Sequence, residues 1–122
     1  MSDAWNGRIY GANRNSAKHF EIMWDAALLN GVAWVIPKGT SRLEEAYKFI
    51  AFAASPQVQA EIANRTTYGL GSKDAIALLD PAILPNIPNA PDHNDGVLLV
   101  DAGFWSEKSD EMRQRFTAWL AK

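Results

Sequence analysis

The chain has 122 residues, 48% of them hydrophobic and 21% charged, with a formal net charge of −2 and no cysteine. Such a chain suits one globular domain with a core of its own. It excludes disulfides, thiolate metal sites and cysteine nucleophiles, and twelve basic against fourteen acidic side chains, with no basic run, leave no field that attracts nucleic acid.

No apolar run approaches the ~18 residues that cross a bilayer, so no membrane insertion is expected. The first residues, MSDAWNGR, lack a basic stretch followed by an apolar one. Two expectations follow: a cytoplasmic stand-alone product, or a piece whose secretion signal lies in a missing upstream part.

In chain order, the stretch after Trp5 has a weak helical pattern at Ile9, Ala12 and Ala17, interrupted by Gly11 and asparagines. HFEIMW alternates like a strand, with Phe20, Ile22 and Trp24 on one side. GVAWVIP is a continuous apolar run over 32–36, closed by Pro37, and predicts an interior strand buried on both faces. Ser41 followed by Glu44 is a capping-box signature for a first helix. Its apolar stripe is Leu43, Ala46, Tyr47, Ile50 and Ala54, widened by Phe49 and Phe52, which implies burial on more than one side. Ser55 then caps a second helix with Pro56 at its first position. Ser72 caps a third, through Leu79. Four prolines from Pro81 to Pro91 mark a long irregular connection, VLLV predicts an extra strand, and an amphipathic helix closes the chain. Phe104, Trp105, Met112, Phe116, Trp119 and Leu120 are its expected core face.

Two or three strands make a poor sheet alone, yet 32–36 reads as an interior strand. The pattern therefore suits a piece of a larger α/β layout, or a chain that pairs with a copy of itself.

Chemistry-bearing clusters are few. His19 and His93 have no partner at metal-ligand spacing and read as exposed polar residues. Asp92, His93, Asn94 and Asp95 crowd one turn without the oxygen spacing of a calcium loop. YGLGS lacks the third glycine and the preceding strand of a dinucleotide fingerprint. No serine lies in a nucleophile elbow, and no acid–base pair asks to be catalytic, so neither an enzyme nor a cofactor is expected. A hydrolase using His93 and its neighbouring aspartates is the weakest alternative. The five tryptophans say more. Trp34, Trp105 and Trp119 read as core and Trp24 is ambiguous. Trp5 precedes the turn dipeptide Asn6-Gly7, as a surface aromatic or a ligand wall.

The ordered series WNGRIYGA, FEIMWDAALLNGVAWVIPKGT, EEAYKFIAFAASPQVQAEIA, YGLGSKDAIALLD and FWSEKSDEMRQRFTAWLAK resembles the C-terminal part of the extracellular solute-binding proteins of ABC transporters. Within them it is most similar to the group that handles spermidine and putrescine. The resemblance covers about Trp5 to Lys122. It implies a partial type II periplasmic-binding-protein-like α/β fold, mostly helical with two or three strands; the strand edges and apolar helix faces that such half-lobes leave uncovered make self-association into a homo-oligomer the expected completion. It also implies that about 32–71 sits with a first lobe, and about 1–31 and 72–122 with a second. The implied function is small-molecule binding in the periplasm and delivery to an ABC permease by the full-length relative, without chemistry on the solute. The alternative is a stand-alone, self-associating interaction or ligand-sequestering module.

In the polyamine binders a Trp-x-Gly-Asp turn brings an aromatic wall and a carboxylate to the cleft. Trp5 matches the tryptophan, but Arg8 stands where the aspartate would be. A second cleft carboxylate precedes the crossing strand; here Val32 stands there, with Asn30 close by. Tyr68 keeps the tyrosine of the Y-G-x-x-x-K turn. An unpaired arginine repels a dication and suits a carboxylate, which it grips through two parallel hydrogen bonds. The expected ligand is therefore anionic or zwitterionic, an amino acid or organic acid, contacted by Trp5, Arg8, Asn30, Val32 and Tyr68. The other possibility is that Arg8 points to solvent.

Overall fold

The computed structural model describes residues 3–93 and 96–122. Five α-helices and two very short strands follow one another: α1 (Asn6–Asn15), β1 (Leu28–Leu29), α2 (Leu43–Ala53), α3 (Pro56–Thr66), α4 (Lys73–Ile76), β2 (Leu98–Leu99) and α5 (Ala102–Leu120). Single 3-10 turns lie at Trp24–Ala26, Leu84–Asn86 and Pro91–His93.

The core is built from small residues. Ala60 and Ala63 of α3 face Ala75 of α4, and Leu79, Ile83, Ile87 and Ala90 complete the cluster. Alanines let α3 and α4 approach closely, and Ile87 fills the centre with no exposed surface. The stretch expected to be an irregular connection therefore supplies three of the seven cluster residues, Ile83, Ile87 and Ala90. Its prolines interrupt regular hydrogen bonding, but the chain still turns: Ile83, Asn86, Ile87, Ala90 and His93 each donate to a carbonyl three residues back. Leu79, Ile83, Ile87 and Ala90 thus return to one side at helical spacing although the backbone is not an α-helix.

The helix starts lie where the sequence signals put them, but their capping chemistry differs. Pro56 is at the start of α3 and Ser55 is its N-cap, yet the Ser55 hydroxyl donates to the Phe52 carbonyl (2.7 Å) and closes α2 instead. The Ser41–Glu44 box does not form. Arg42 is the N-cap of α2, without a side-chain cap bond, so Ser41 lies one residue too early to reach the helix N–H groups. Ser72 precedes α4 and its side chain caps nothing; its N–H and that of Gly71 donate to Gln59 Oε1, both at 2.9 Å. Asp101 caps α5 by accepting from the Phe104 N–H (3.1 Å).

Two strand expectations fail. Residues 20–23 are irregular and lead into the Trp24–Ala26 turn, and residues 31–36 have no ladder partner among the described residues. Val32 is 87% exposed, and Trp34 and Val35 are also exposed. A run that is apolar on both faces needs strands on both sides; this chain brings none to it. The sheet consists of β1 and β2, parallel, in the register Leu28↔Leu98 and Leu29↔Leu99. The extra strand expected at VLLV is β2.

The tryptophans expected in the core are exposed as well. α5 is 19 residues long and has no buried residue. Trp119 is 65% exposed, and Phe104, Trp105, Met112, Phe116 and Leu120 share that condition. On α2 only Ala53 is buried, while Leu43, Tyr47, Phe49 and Phe52 are exposed. The chain presents 10116 Å² to solvent. A compact monomer of 13.5 kDa presents roughly 6,500 Å². The chain by itself is an unclosed body, with about 3,600 Å² of surface beyond a self-contained domain of its mass. No helix among the described residues is long and apolar enough to cross a membrane.

Candidate functional site

The site begins at the first turn of α1. Trp5 is the N-cap residue, and its carbonyl accepts from the N–H groups of Arg8 (2.9 Å) and Ile9 (3.2 Å). Asn6 pins this turn from inside. Its Nδ2 donates to the carbonyls of Thr67 (2.5 Å) and Asn86 (2.9 Å). One amide thus ties α1 both to the end of α3 and to the Leu84–Asn86 turn.

Gly7 allows the close approach. A Cβ added there would lie 2.5 Å from the Thr66 carbonyl oxygen and 3.0 Å from Cε1 and Cζ of Tyr68. Any side chain would push the helix off the tyrosine ring. The other wall depends on Thr67, which is fully buried and left-handed at φ 57°. That conformation disfavours a β-branched residue, and here it ends α3, turning the chain so that Tyr68 meets Gly7.

Trp5 and Arg8 thus flank Gly7, the residue against which the Tyr68 ring lies. Trp5 is 56% exposed and Tyr68 is partly exposed. Arg8 is exposed and has no ion pair among the described residues. There is no acidic residue in the first turn of α1. A cation at a helix N-terminus works against the helix dipole. Guanidinium and backbone N–H groups together create a local preference for an anion.

Asn30 and Val32 lie elsewhere. Asn30 follows β1 and lines an open hollow of about 620 Å³ with Val100, Ala102, Trp105, Ser106 and Ser109. This crevice opens beyond the carboxyl ends of two parallel strands, where α/β proteins commonly place ligands. Val32 lines neither hollow, and no hydrogen bond or ring contact joins the Trp5 group to Asn30 or Val32 among the described residues. A second hollow, about 280 Å³, runs along α1 between Ile9, Asn13, Phe20, Glu21, Trp24 and Asn86. Sequence reasoning missed it because it took 20–24 for a strand.

His93 is half-buried rather than an exposed polar residue. It stacks on Trp24, with ring centroids 4.1 Å apart and 14° between planes, and its Nδ1 lies 2.8 Å from the Ile87 carbonyl. The ring is occupied as a brace between the Trp24 turn and the core, which removes the basis for using it as a hydrolytic base. Asn94 and Asp95 of the same turn lie outside the described residues. The described residues contain no group of three or more His, Asp or Glu able to hold a metal ion.

Comparison with known proteins places this geometry in a family. Residues 1–92 match the family model described as bacterial extracellular solute-binding protein. Over all 122 residues the chain is 39% identical to the gamma-aminobutyric acid-binding protein of Pseudomonas aeruginosa, and it covers 34% of that protein. In structure it is similar to the PBP AgtB from A. tumefaciens R10, solved in complex with agropinic acid: the TM-score is 0.73 at 30% identity, over 96% of this chain and 37% of that one. The mostly helical body with two parallel strands is thus a partial periplasmic-binding-protein fold. The chain spans about a third of the length of these relatives. Neither relative's name mentions a polyamine. By the match over residues 1–92, this chain belongs to the bacterial extracellular solute-binding protein family.

Proposed function

We propose that the chain forms part of the solute-binding component of an ABC transporter, and that its ligand is an anionic or zwitterionic small molecule whose carboxylate is held by Arg8. The observation that carries this is the placement of Arg8. It is exposed and without an ion pair among the described residues, on a helix turn flanked by Trp5 and by Tyr68 packed on Gly7. The relatives support the same ligand class, since one is named for gamma-aminobutyric acid and the other was solved with agropinic acid. A polyamine suits this corner poorly, because Arg8 would repel it.

Trp5 and Tyr68 would give the ligand apolar contact. Asn30 and Val32 would approach from the opposite wall, and Asn30's place on the larger hollow supports its share. The function is binding and delivery without chemistry, performed by the whole protein in the periplasm with an ABC permease as its partner. The lobe assignment, with about 32–71 in one lobe and about 1–31 and 72–122 in the other, belongs to the same proposal. It is supported by the pairing of β1 with β2 and by the Asn6–Asn86 bond. The packing of α3 on α4 weighs against a boundary at 71; one at the α2–α3 connection would keep the core whole.

The test is calorimetry on a protein joining this chain to the unmatched two-thirds of the Pseudomonas relative. Gamma-aminobutyric acid should bind and putrescine should not. Arg8→Glu should weaken acid binding by at least thirtyfold, the lower end for truncating a buried charge pair of about 2–5 kcal/mol. Unchanged affinity in that variant would sink the proposal.

A further inference from the structure

Asparagine is followed by glycine at two places, Asn6-Gly7 and Asn30-Gly31. This pair is open to self-modification, because no Cβ shields the glycine backbone nitrogen from the neighbouring side-chain amide. The structure treats the two places differently. Asn6 lies in the first turn of α1, and its Nδ2 donates to the carbonyls of Thr67 and Asn86. Turning its Cγ onto the Gly7 nitrogen breaks both bonds and disturbs the helix start. Asn30 is exposed and follows β1 in irregular backbone, and its side chain makes no hydrogen bond among the described residues. Gly31 is open too. Its N–H has no partner among the described residues, and a Cβ added there meets nothing within 4 Å.

We infer that Asn30-Gly31 is a site of spontaneous deamidation, which turns a neutral wall of the larger hollow into a carboxylate, while Asn6-Gly7 is held unreactive by its two hydrogen bonds. The chemistry needs only water. The Gly31 nitrogen loses its proton to solvent base and attacks Asn30 Cγ. A Cγ–N bond forms, the Cγ–Nδ2 bond breaks, and the side-chain nitrogen takes up a proton and leaves as ammonia. Water then opens the five-membered imide at either carbonyl, giving aspartate or isoaspartate at position 30. The described lining of the hollow is Asn30, Val100, Ala102, Trp105, Ser106 and Ser109, with no charged side chain among them. The new carboxyl group, ordinarily ionised above about pH 4, gives it one, and an anion at that wall is repelled. The isoaspartate form also lengthens the backbone by one carbon just beyond β1. The inference rests on the geometry of the two pairs and is independent of which ligand Arg8 holds.

The test is to hold the folded chain in mildly alkaline buffer and follow two tryptic peptides by mass, with isoaspartate detected by enzymatic methylation. Peptides 1–8 and 19–38 each contain a single asparagine, Asn6 and Asn30. Peptide 19–38 should gain the mass difference between a hydroxyl and an amino group, and score for isoaspartate. Peptide 1–8 should change more slowly by roughly tenfold or more, the effect of two hydrogen bonds that must open first. In denaturant the two should convert at similar rates. Gly31→Ala should slow conversion at Asn30 by roughly tenfold without changing the fold, since Gly31 has no positive φ and its Cβ position is empty. Equal rates for Asn6 and Asn30 in the folded chain would overturn the inference. So would an Asn30 that converts only in denaturant, or a Gly31→Ala chain that converts as fast as the original. No ligand enters the measurement, so failure of the ligand proposal is seen separately.

Discussion

Two glycines of α1 should respond in opposite directions to the same substitution. Gly7→Ala places a Cβ 2.5 Å from the Thr66 carbonyl oxygen and 3.0 Å from the Tyr68 ring. A backbone carbonyl at the end of α3 has nowhere to swing, so the first turn of α1 must lift. Overpacking of this kind costs about 1–3 kcal/mol. Lifting the turn also stretches the two Asn6 hydrogen bonds, worth about 1 kcal/mol each. Alanine returns up to about 1 kcal/mol of helix propensity. The balance is a loss of about 2 kcal/mol, or a melting temperature lower by roughly 8 °C for a chain of this size. Gly11 is the control. It lies in the same helix, and a Cβ there meets nothing within 4 Å. Gly11→Ala should therefore stabilise by about 0.5–1 kcal/mol. Thermal melts followed by circular dichroism compare the two. If Gly7→Ala stabilises as Gly11→Ala does, α1 is not seated on the Thr66–Tyr68 turn, and Trp5, Arg8 and Tyr68 are not a group.

Two further substitutions test the proline-rich stretch as core. Ile87→Ala removes a fully buried side chain and should cost about 2–5 kcal/mol, read as a lower urea midpoint. Asn89→Ala removes bonds to both the N–H (3.0 Å) and the carbonyl (2.7 Å) of Leu70. It should cost about 1–3 kcal/mol and speed hydrogen exchange at Leu70 before that of α3.

Local signals in the sequence carried over where they depend only on neighbouring residues. Pro56 after Ser55 starts α3 because proline needs no N–H there and its φ is already helical. The α2 and α5 helices follow from their apolar spacing. What failed depends on long-range neighbours, which composition alone does not supply. Residues 31–36 keep the composition of an interior strand, but a strand is defined by its neighbours, and none is supplied here. Trp34, Trp105 and Trp119 have the character of core residues, and they are exposed because none of the described residues covers them.

The missed core has a different cause. Leu79, Ile83, Ile87 and Ala90 repeat at intervals of four, four and three. Pro81, Pro85 and Pro88 between them mask that spacing, because proline interrupts an α-helix. Successive turns with bonds three residues apart preserve the side-chain spacing while tolerating proline. At the candidate site, Trp5, Arg8 and Tyr68 could be named from the resemblance. The contact that groups them could not, because it depends on the missing Cβ of Gly7 and on the left-handed Thr67. The turn dipeptide Asn6-Gly7 was visible; its amide reaching Thr67 and Asn86 was not.

The most direct measurement is a crystal structure of this chain joined to the unmatched two-thirds of the Pseudomonas relative, with gamma-aminobutyric acid present. The Arg8 guanidinium should pair with the ligand carboxylate at about 2.7–2.9 Å, with Trp5 and Tyr68 against the ligand's carbon chain. A ligand carboxylate held by other residues, with Arg8 turned to solvent, would contradict it.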